Sequence, residues 1–171
     1  GVKYYSNING ISTTSKDKRV VFKGIEVIVK HDVYLNAQRM TNPTENLHQI
    51  SLQLNYKLNK NIYLAGQTSF ANFGNAGAYA EGIVGVGLQS NYFMNNKINI
   101  FLQGLAGGAG GGNIDTGEGL ILKPSLGFNY KLNKKIALRT SAGFIKAIGG
   151  ALSSPSINIG VSYRLSFLTS K

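Results

Sequence analysis

One octapeptide is written three times in this chain. NYKLNKNI at 55–62 returns as NYFMNNKI at 91–98 and as NYKLNKKI at 129–136, and a shortened copy, SYRLSF, stands at 162–167. Each full copy runs Asn–Tyr, one residue, Leu or Met, then three residues of Asn and Lys, then Ile. A short Asn-rich connection between alternating segments is a hairpin signal, so the repeat predicts strand pairs joined by near-identical turns. The flanking residues alternate with period two, as half-buried strands do. Ile50, Leu52, Leu54, Tyr56 and Leu58 share one face, and Gln49, Ser51, Gln53, Asn55 and Lys57 share the other. The last segment is the clearest, with Ile157, Ile159, Val161, Tyr163, Leu165 and Phe167 opposing Asn158, Gly160, Ser162, Arg164 and Ser166.

Continuing this reading predicts strands over 19–34, 47–58, 61–71, 78–93, 97–107, 119–132, 136–147 and 156–167, with no helical patterning anywhere. Short Asn/Lys-rich connections near 59–61, 94–97 and 133–135 alternate with longer Gly/Ser/Asn/Pro-rich ones, which puts every short turn at one end. The expected fold is all-β, an eight-stranded antiparallel up-and-down barrel over 19–167. Residues 1–18 are expected as an N-terminal arm and 168–171 as a C-terminal tail. GVKYYSNINGIS could supply a further strand, but an odd count breaks the parity of bacterial single-chain barrels.

Two architectures accept such strands. A lipocalin-type barrel keeps its apolar residues inside and is soluble; a transmembrane barrel turns them to lipid. Composition favours the second. Charged residues make up 15 % of the chain and there are 22 glycines, whereas a soluble sheet usually carries many charges on its outer face. The polar face is small, with Gly85, Gly87, Gly127, Gly143 and Gly160 among Ser, Asn and Gln, which suits a narrow lumen. Tyr56, Tyr92, Tyr130 and Tyr163 fall on the apolar face of alternate strands. An aromatic ring at constant depth is what a membrane-interface girdle requires. No apolar run is long enough for a membrane helix, a fact that leaves β-barrels open.

The chain closes with Asn158, Gly160, Tyr163 and Leu165, followed by Phe167. This arrangement resembles the C-terminal assembly signal of bacterial outer-membrane barrels, although Leu168 to Lys171 extend beyond the usual terminal aromatic. Together with the topology, it makes the chain resemble the small eight-stranded outer-membrane barrel family, the transmembrane domain of outer membrane protein A and its relatives. That resemblance implies a bacterial outer-membrane location, short turns and both termini in the periplasm, and a signal peptide removed during maturation. It also implies lipid neighbours including lipopolysaccharide, the barrel-assembly machinery during insertion, and contact with other outer-membrane proteins.

The formal charge of +11 needs no nucleic acid. Lys57, Lys60, Lys97, Lys131, Lys134, Lys135 and Arg164 gather at the short-turn end, where anionic headgroups would meet them. Nothing in the sequence points to a cofactor. With no cysteine, thiolate nucleophiles and cysteine-based zinc sites are excluded. The glycine run at 107–112 lacks the Lys-Ser/Thr of a phosphate loop and reads as a flexible outer loop. His31 and His48 are the only histidines. Ser51, three residues beyond His48, would point to the opposite face of a strand, so a local nucleophile–base pair is not expected. A lipid A-modifying enzyme with either histidine as base is the competing functional reading.

Charges on the polar face predict a lumen ion network. Glu26, Lys30 and Asp32 on the first strand, Glu81, Lys123, Arg139 and Arg164 all point inward, and unpaired charges there would be costly. Glu26 is expected to meet Arg164 or Arg139 and to help plug the barrel; the alternative is that these are rim groups reaching water.

Overall fold

A computed structural model describes residues 21–41, 43–74 and 78–169, with side chains from 24 to 165. The strands are β1 (Val21–Ala37), β2 (Glu45–Lys57), β3 (Ile62–Phe73), β4 (Ala80–Gln89), β5 (Ile98–Gly110), β6 (Leu120–Lys131), β7 (Ile136–Ile148) and β8 (Ser153–Thr169). Each pairs antiparallel with its neighbour, and β1 pairs with β8 to close the barrel. The closing register runs from Val21↔Thr169 at the short-turn end to Tyr34↔Ser156 at the long-loop end. The N-terminal arm expected over 1–18 lies outside the described residues. β8 continues through Leu168 and Thr169, two positions expected in the tail, because both find backbone partners on β1.

The alternation sorts side chains between two environments. Ile50, Leu52 and Leu54 on β2 are 44–50 % exposed, whereas Gln49, Ser51, Gln53 and Asn55 between them are 0–1 % exposed. The pattern repeats round the wall with Val84, Val86 and Leu88 on β4, Leu102 on β5, Leu126 on β6 and Ile159 on β8. A soluble barrel would have the reverse. Leaving apolar surface in water costs roughly 25 cal/mol per Å², so a continuous apolar wall around a polar interior is the arrangement of a transmembrane β-barrel.

Two hairpins are built the same way from the repeat. Asn59 Oδ1 accepts from the backbone N–H groups of Asn61 and Ile62, each at 2.8 Å. Asn133 Oδ1 does the same for Lys135 and Ile136, also at 2.8 Å. A short polar side chain thus closes the turn, as Asx turns do. The middle copy departs from this. β4 ends at Gln89 rather than at 93, and pairing steps from Gln89↔Phe101 to Phe93↔Ile98, one residue out of register. Met94, Asn95 and Asn96 follow in left-handed conformation (φ 47°, 57° and 60°). A one-residue slip reverses the facing of the side chains beyond it.

The glycine run is not a loose loop. Gly107 to Gly110 continue β5, and only Gly111 and Gly112 turn, with φ of 93° and 58°. At Gly111 a Cβ would meet the Ala78 carbonyl as well as an unfavourable φ. The following segment folds across the long-loop end. Met40 N–H donates to the Asn113 carbonyl (2.9 Å), Asp115 N–H to the Gln38 carbonyl (3.1 Å) and Leu152 N–H to the Asp115 carbonyl (2.9 Å). Ile114 and Leu152 are thereby buried on an apolar layer that includes Ile83, Leu105, Ile121 and Ile145.

Inside and outside impose opposite demands on glycine. A Cβ on inward Gly127 would strike the Thr140 carbonyl, whereas one on outward Gly104 meets nothing within 4 Å. Gly127→Ala is expected to destabilise by about 1–3 kcal/mol through overpacking. Gly104→Ala should be neutral or stabilising by about 0.4–1 kcal/mol. Urea titration of protein folded in micelles distinguishes the two.

Candidate functional site

The chemically equipped part of the molecule is its interior, arranged in tiers along the barrel axis. Nearest the apolar layer, Asp32 on β1, Glu81 on β4 and Lys123 on β6 converge because each occupies an inward position of its strand. Lys123 Nζ lies 3.2 Å from Glu81 Oε1 and 3.5 Å from Asp32 Oδ2, and Lys30 Nζ lies 3.7 Å from Asp32 Oδ2. Hydroxyl and amide donors complete the carboxylates. Ser51 Oγ donates to Asp32 (2.5 Å), Tyr34 to Glu81 (2.6 Å), Ser69 to Glu81 (2.9 Å), and Gln67 Nε2 reaches both acids at 3.1–3.3 Å. Tyr79, in the loop before β4, donates to Glu81 from 3.1 Å. Burial, and then the adjoining Glu81 carboxylate, push the Tyr79 phenol up, which keeps it a donor.

Arg139 forms the next tier. It is 1 % exposed, yet no described carboxylate lies within ion-pair distance of it. Its guanidinium donates to Asn129 Oδ1 (3.1 Å), Tyr63 Oη (3.0 Å) and Gln103 Oε1 (3.1 Å) and lies 3.4 Å over the Phe101 ring. Neutral acceptors and an aromatic face therefore stand in for a counter-ion.

The third tier is the mouth at the short-turn end. Glu26 accepts from Asn55 Nδ2 (3.0 Å) and lies 3.8 Å from Lys57 Nζ and 4.0 Å from Arg164 Nη2. Arg164 Nη2 donates to Tyr92 Oη at 2.7 Å, and Lys131 Nζ sits 3.8 Å over the Tyr92 ring. Lys57 also donates to Gln89. Of the two partners expected for Glu26, Arg164 makes the contact and Arg139 does not.

Several interior residues escaped the sequence reading. Tyr63 and Gln103 were available from alternation, since they share faces with Ala65, Gln67, Ser69 and with Phe101, Leu105. Tyr79, inside the expected 78–93 strand, shares the face of Glu81 and Ile83 and was available in the same way, although β4 itself begins at Ala80. The inward-facing Ile83, Leu105, Ile121 and Ile145 were hidden by the assumption that the whole inner face is polar.

The expected tyrosine ring loses one member. Tyr56 and Tyr163 stand on the outer wall, 37 % and 40 % exposed, and half-buried Tyr130 follows the outward register of β6. Tyr92 does not; the slip after Ser90 turns it across the mouth. In the closing strand, Asn158 points inward, Gly160 packs against Lys30, and Tyr163 and Leu165 face out. The Phe167 side chain lies outside the described set.

The histidines meet each other rather than a nucleophile. His31 Nε2 lies 3.2 Å from His48 Nδ1, and the His31 ring stands 6.3 Å from that of Phe73. Both occupy outward positions, while the Ser51 hydroxyl is committed inward to Asp32. No cluster of three or more His, Asp or Glu suited to a metal occurs among the described residues.

An apolar wall of eight strands around a hydrogen-bonded polar interior defines the chain as a transmembrane β-barrel by fold. No protein-family model matches its sequence, nor does any curated protein. Solved structures do resemble it. One is a de novo designed transmembrane β-barrel, 13 % identical with a TM-score of 0.57 over 86 % of this chain and 98 % of that one. Neisserial surface protein A is 9 % identical with a TM-score of 0.53 over 85 % and 97 %. The Yersinia pestis outer membrane protein Ail, determined in a phospholipid bilayer nanodisc, is 13 % identical with a TM-score of 0.53 over 85 % and 100 %. The fold is thus that of small eight-stranded outer-membrane β-barrels.

Lys123 is the counter-ion of two buried acids, so Lys123→Met should cost about 3–5 kcal/mol. Adding Glu81→Gln to it, which leaves Asp32 paired with Lys30, should recover much of that loss. Equilibrium unfolding in micelles tests the sign of the recovery.

Proposed function

We propose that this chain is a non-catalytic integral outer-membrane protein whose barrel is plugged and serves a structural, adhesive or accessory role. In this reading the short turns and both termini face the periplasm, and the long-loop end faces outward. Contacts with other molecules are made by the stitched outer loops, or by the apolar wall as a subunit of a larger outer-membrane complex. Lipopolysaccharide and phospholipid are its solvent, and the Asn158–Gly160–Tyr163–Leu165–Phe167 strand serves its insertion by the assembly machinery. Tyr56, Tyr130 and Tyr163 act as interface anchors.

The observation that supports this reading is the buried interior. Between Arg139 and Ile114, inward side chains from all eight strands are buried, first in an ion and hydrogen-bond network and then in an apolar layer. Eight strands leave an interior just wide enough for side chains to fill, and paired charges there rigidify rather than conduct. The likeness to Neisserial surface protein A and Ail supports the membrane setting.

The placement of the histidines argues against a lipid A-modifying enzyme, because His31 and His48 are separated from the Ser51 hydroxyl by the barrel wall. A lipocalin-like carrier is disfavoured by the exposed apolar wall. Purified protein is therefore expected to require detergent, and in planar bilayers it should show no steady open-channel conductance. A large, sustained conductance would reject the plug, and full solubility without detergent would reject the membrane setting.

A further inference from the structure

The short-turn mouth holds an apparatus that the plug does not need. Between Gly24, Lys57, Asn59, Gln89, Tyr92 and Arg164 lies a cavity of about 440 Å³ that opens at that end of the barrel. Lys57, Lys60 and Arg164 line it, and the one described carboxylate beside them, Glu26, is shared between Lys57 and Arg164 at 3.8 and 4.0 Å. Such distances leave both cations with donors to spare. Arg164, with 29 % of its side chain exposed, is held in place by its bond to Tyr92 Oη. Lys131 Nζ lies 3.8 Å from the centre of that ring.

The surplus extends below the floor of the cavity. Among the described side chains directed into the barrel, Lys30, Lys57, Lys123, Lys131, Arg139 and Arg164 face only Glu26, Asp32 and Glu81. Arg139 adds a buried positive charge with no carboxylate of its own. A cleft lined by one sign of charge, with low-dielectric walls, focuses the field at its opening. The register slip after Ser90 is what brings Tyr92 here; an unslipped strand would have left the mouth without its wall and Arg164 without its anchor.

We propose that this mouth is a binding site for a phosphate-type anion, held by Lys57 and Arg164 with Tyr92 as the wall that positions the guanidinium. Arg offers the planar pair of N–H donors that matches phosphate oxygens, and Lys adds a compact charge. The chain's own N-terminal segment is a poor occupant, because residues 1–20 carry Lys3, Lys16, Lys18 and Arg19 against Asp17 alone. The chemistry is shared by free phosphate and by a phospholipid headgroup reaching over the rim. The inference goes beyond the plugged-barrel reading and does not depend on it.

Calorimetric titration of the whole protein in an uncharged maltoside micelle tests it, at about 20 mM ionic strength so that screening is weak. One arm uses inorganic phosphate and the other a short-chain phosphatidylglycerol. Saturable binding in either arm is expected, and the arm that binds names the source. Arg164→Gln and Lys57→Gln should each weaken it about tenfold or more, as loss of a charge-assisted contact does. Glu26→Gln should tighten it, since that substitution removes a competing negative charge. Lys134→Gln, on an exposed turn and outside the cavity lining, should leave it unchanged. Circular dichroism confirms that each variant is folded, and the Glu26 variant keeps the test decisive if either cation variant fails to fold. Absence of binding in both arms would overturn the site. So would equal weakening by the turn variant, which would signify diffuse surface charge, or weaker binding by Glu26→Gln.

Discussion

Backbone closure is the constraint on which the rest of this molecule depends. In hydrocarbon no water can satisfy a free N–H or C=O, so a sheet that faces lipid must have no edge. The β1–β8 seam meets that requirement over an unbroken register from Val21↔Thr169 to Tyr34↔Ser156. Once eight strands close, the width of the interior follows, and every inward side chain must either fill space or find a partner. Gly127, which leaves room for the Thr140 backbone, and Arg139, whose guanidinium lies 3.4 Å over Phe101, are two answers to the same narrow bore.

Polarity within that bore is graded along the axis. At the long-loop end, apolar side chains and Ile114 from the crossing loop form one buried cluster. Beneath them, Asp32, Glu81 and Lys123 are paired in a setting where unpaired charge would be prohibitive. Arg139 follows, supported by neutral acceptors and the Phe101 ring, and the mouth ends in Lys57 and Arg164 around Glu26, with Lys131 over the Tyr92 ring. Positive charge therefore increases toward the end where solvent can screen it and where an anion could approach. The apolar end and the charged end are consequences of one gradient rather than separate features.

The threefold repeat illustrates how far local sequence reaches. Asn59 and Asn133 close their turns with the same pair of side-chain to backbone bonds, as near-identical octapeptides should. The copy at 91–98 has Phe93 in place of Lys57 or Lys131 and Met94 in place of Leu58 or Leu132, and it slips by one residue. Tyr92 then leaves the outer wall and crosses the mouth. Its position in the octapeptide is that of Tyr56 and Tyr130, so no local pattern separates it from them; the separation comes from pairing with β5.

Period-two alternation and the spacing of the turns were enough to determine strand number, antiparallel order, the end at which each connection lies and which face of each strand is apolar. Those properties are local, set by the backbone pleat and by turn residues. The inward placement of Glu26, Glu81, Lys123, Arg139 and Arg164 was legible for the same reason. Which of them touch was not, because a contact across the lumen depends on the stagger of strands far apart in sequence. Only the tertiary structure gives Glu26 to Arg164 rather than to Arg139, joins Tyr79 to Glu81, turns the Gly107–Gly110 run into strand and lowers Ile114 onto the apolar layer. Face is a property of one strand, whereas depth and partnership are properties of the closed barrel.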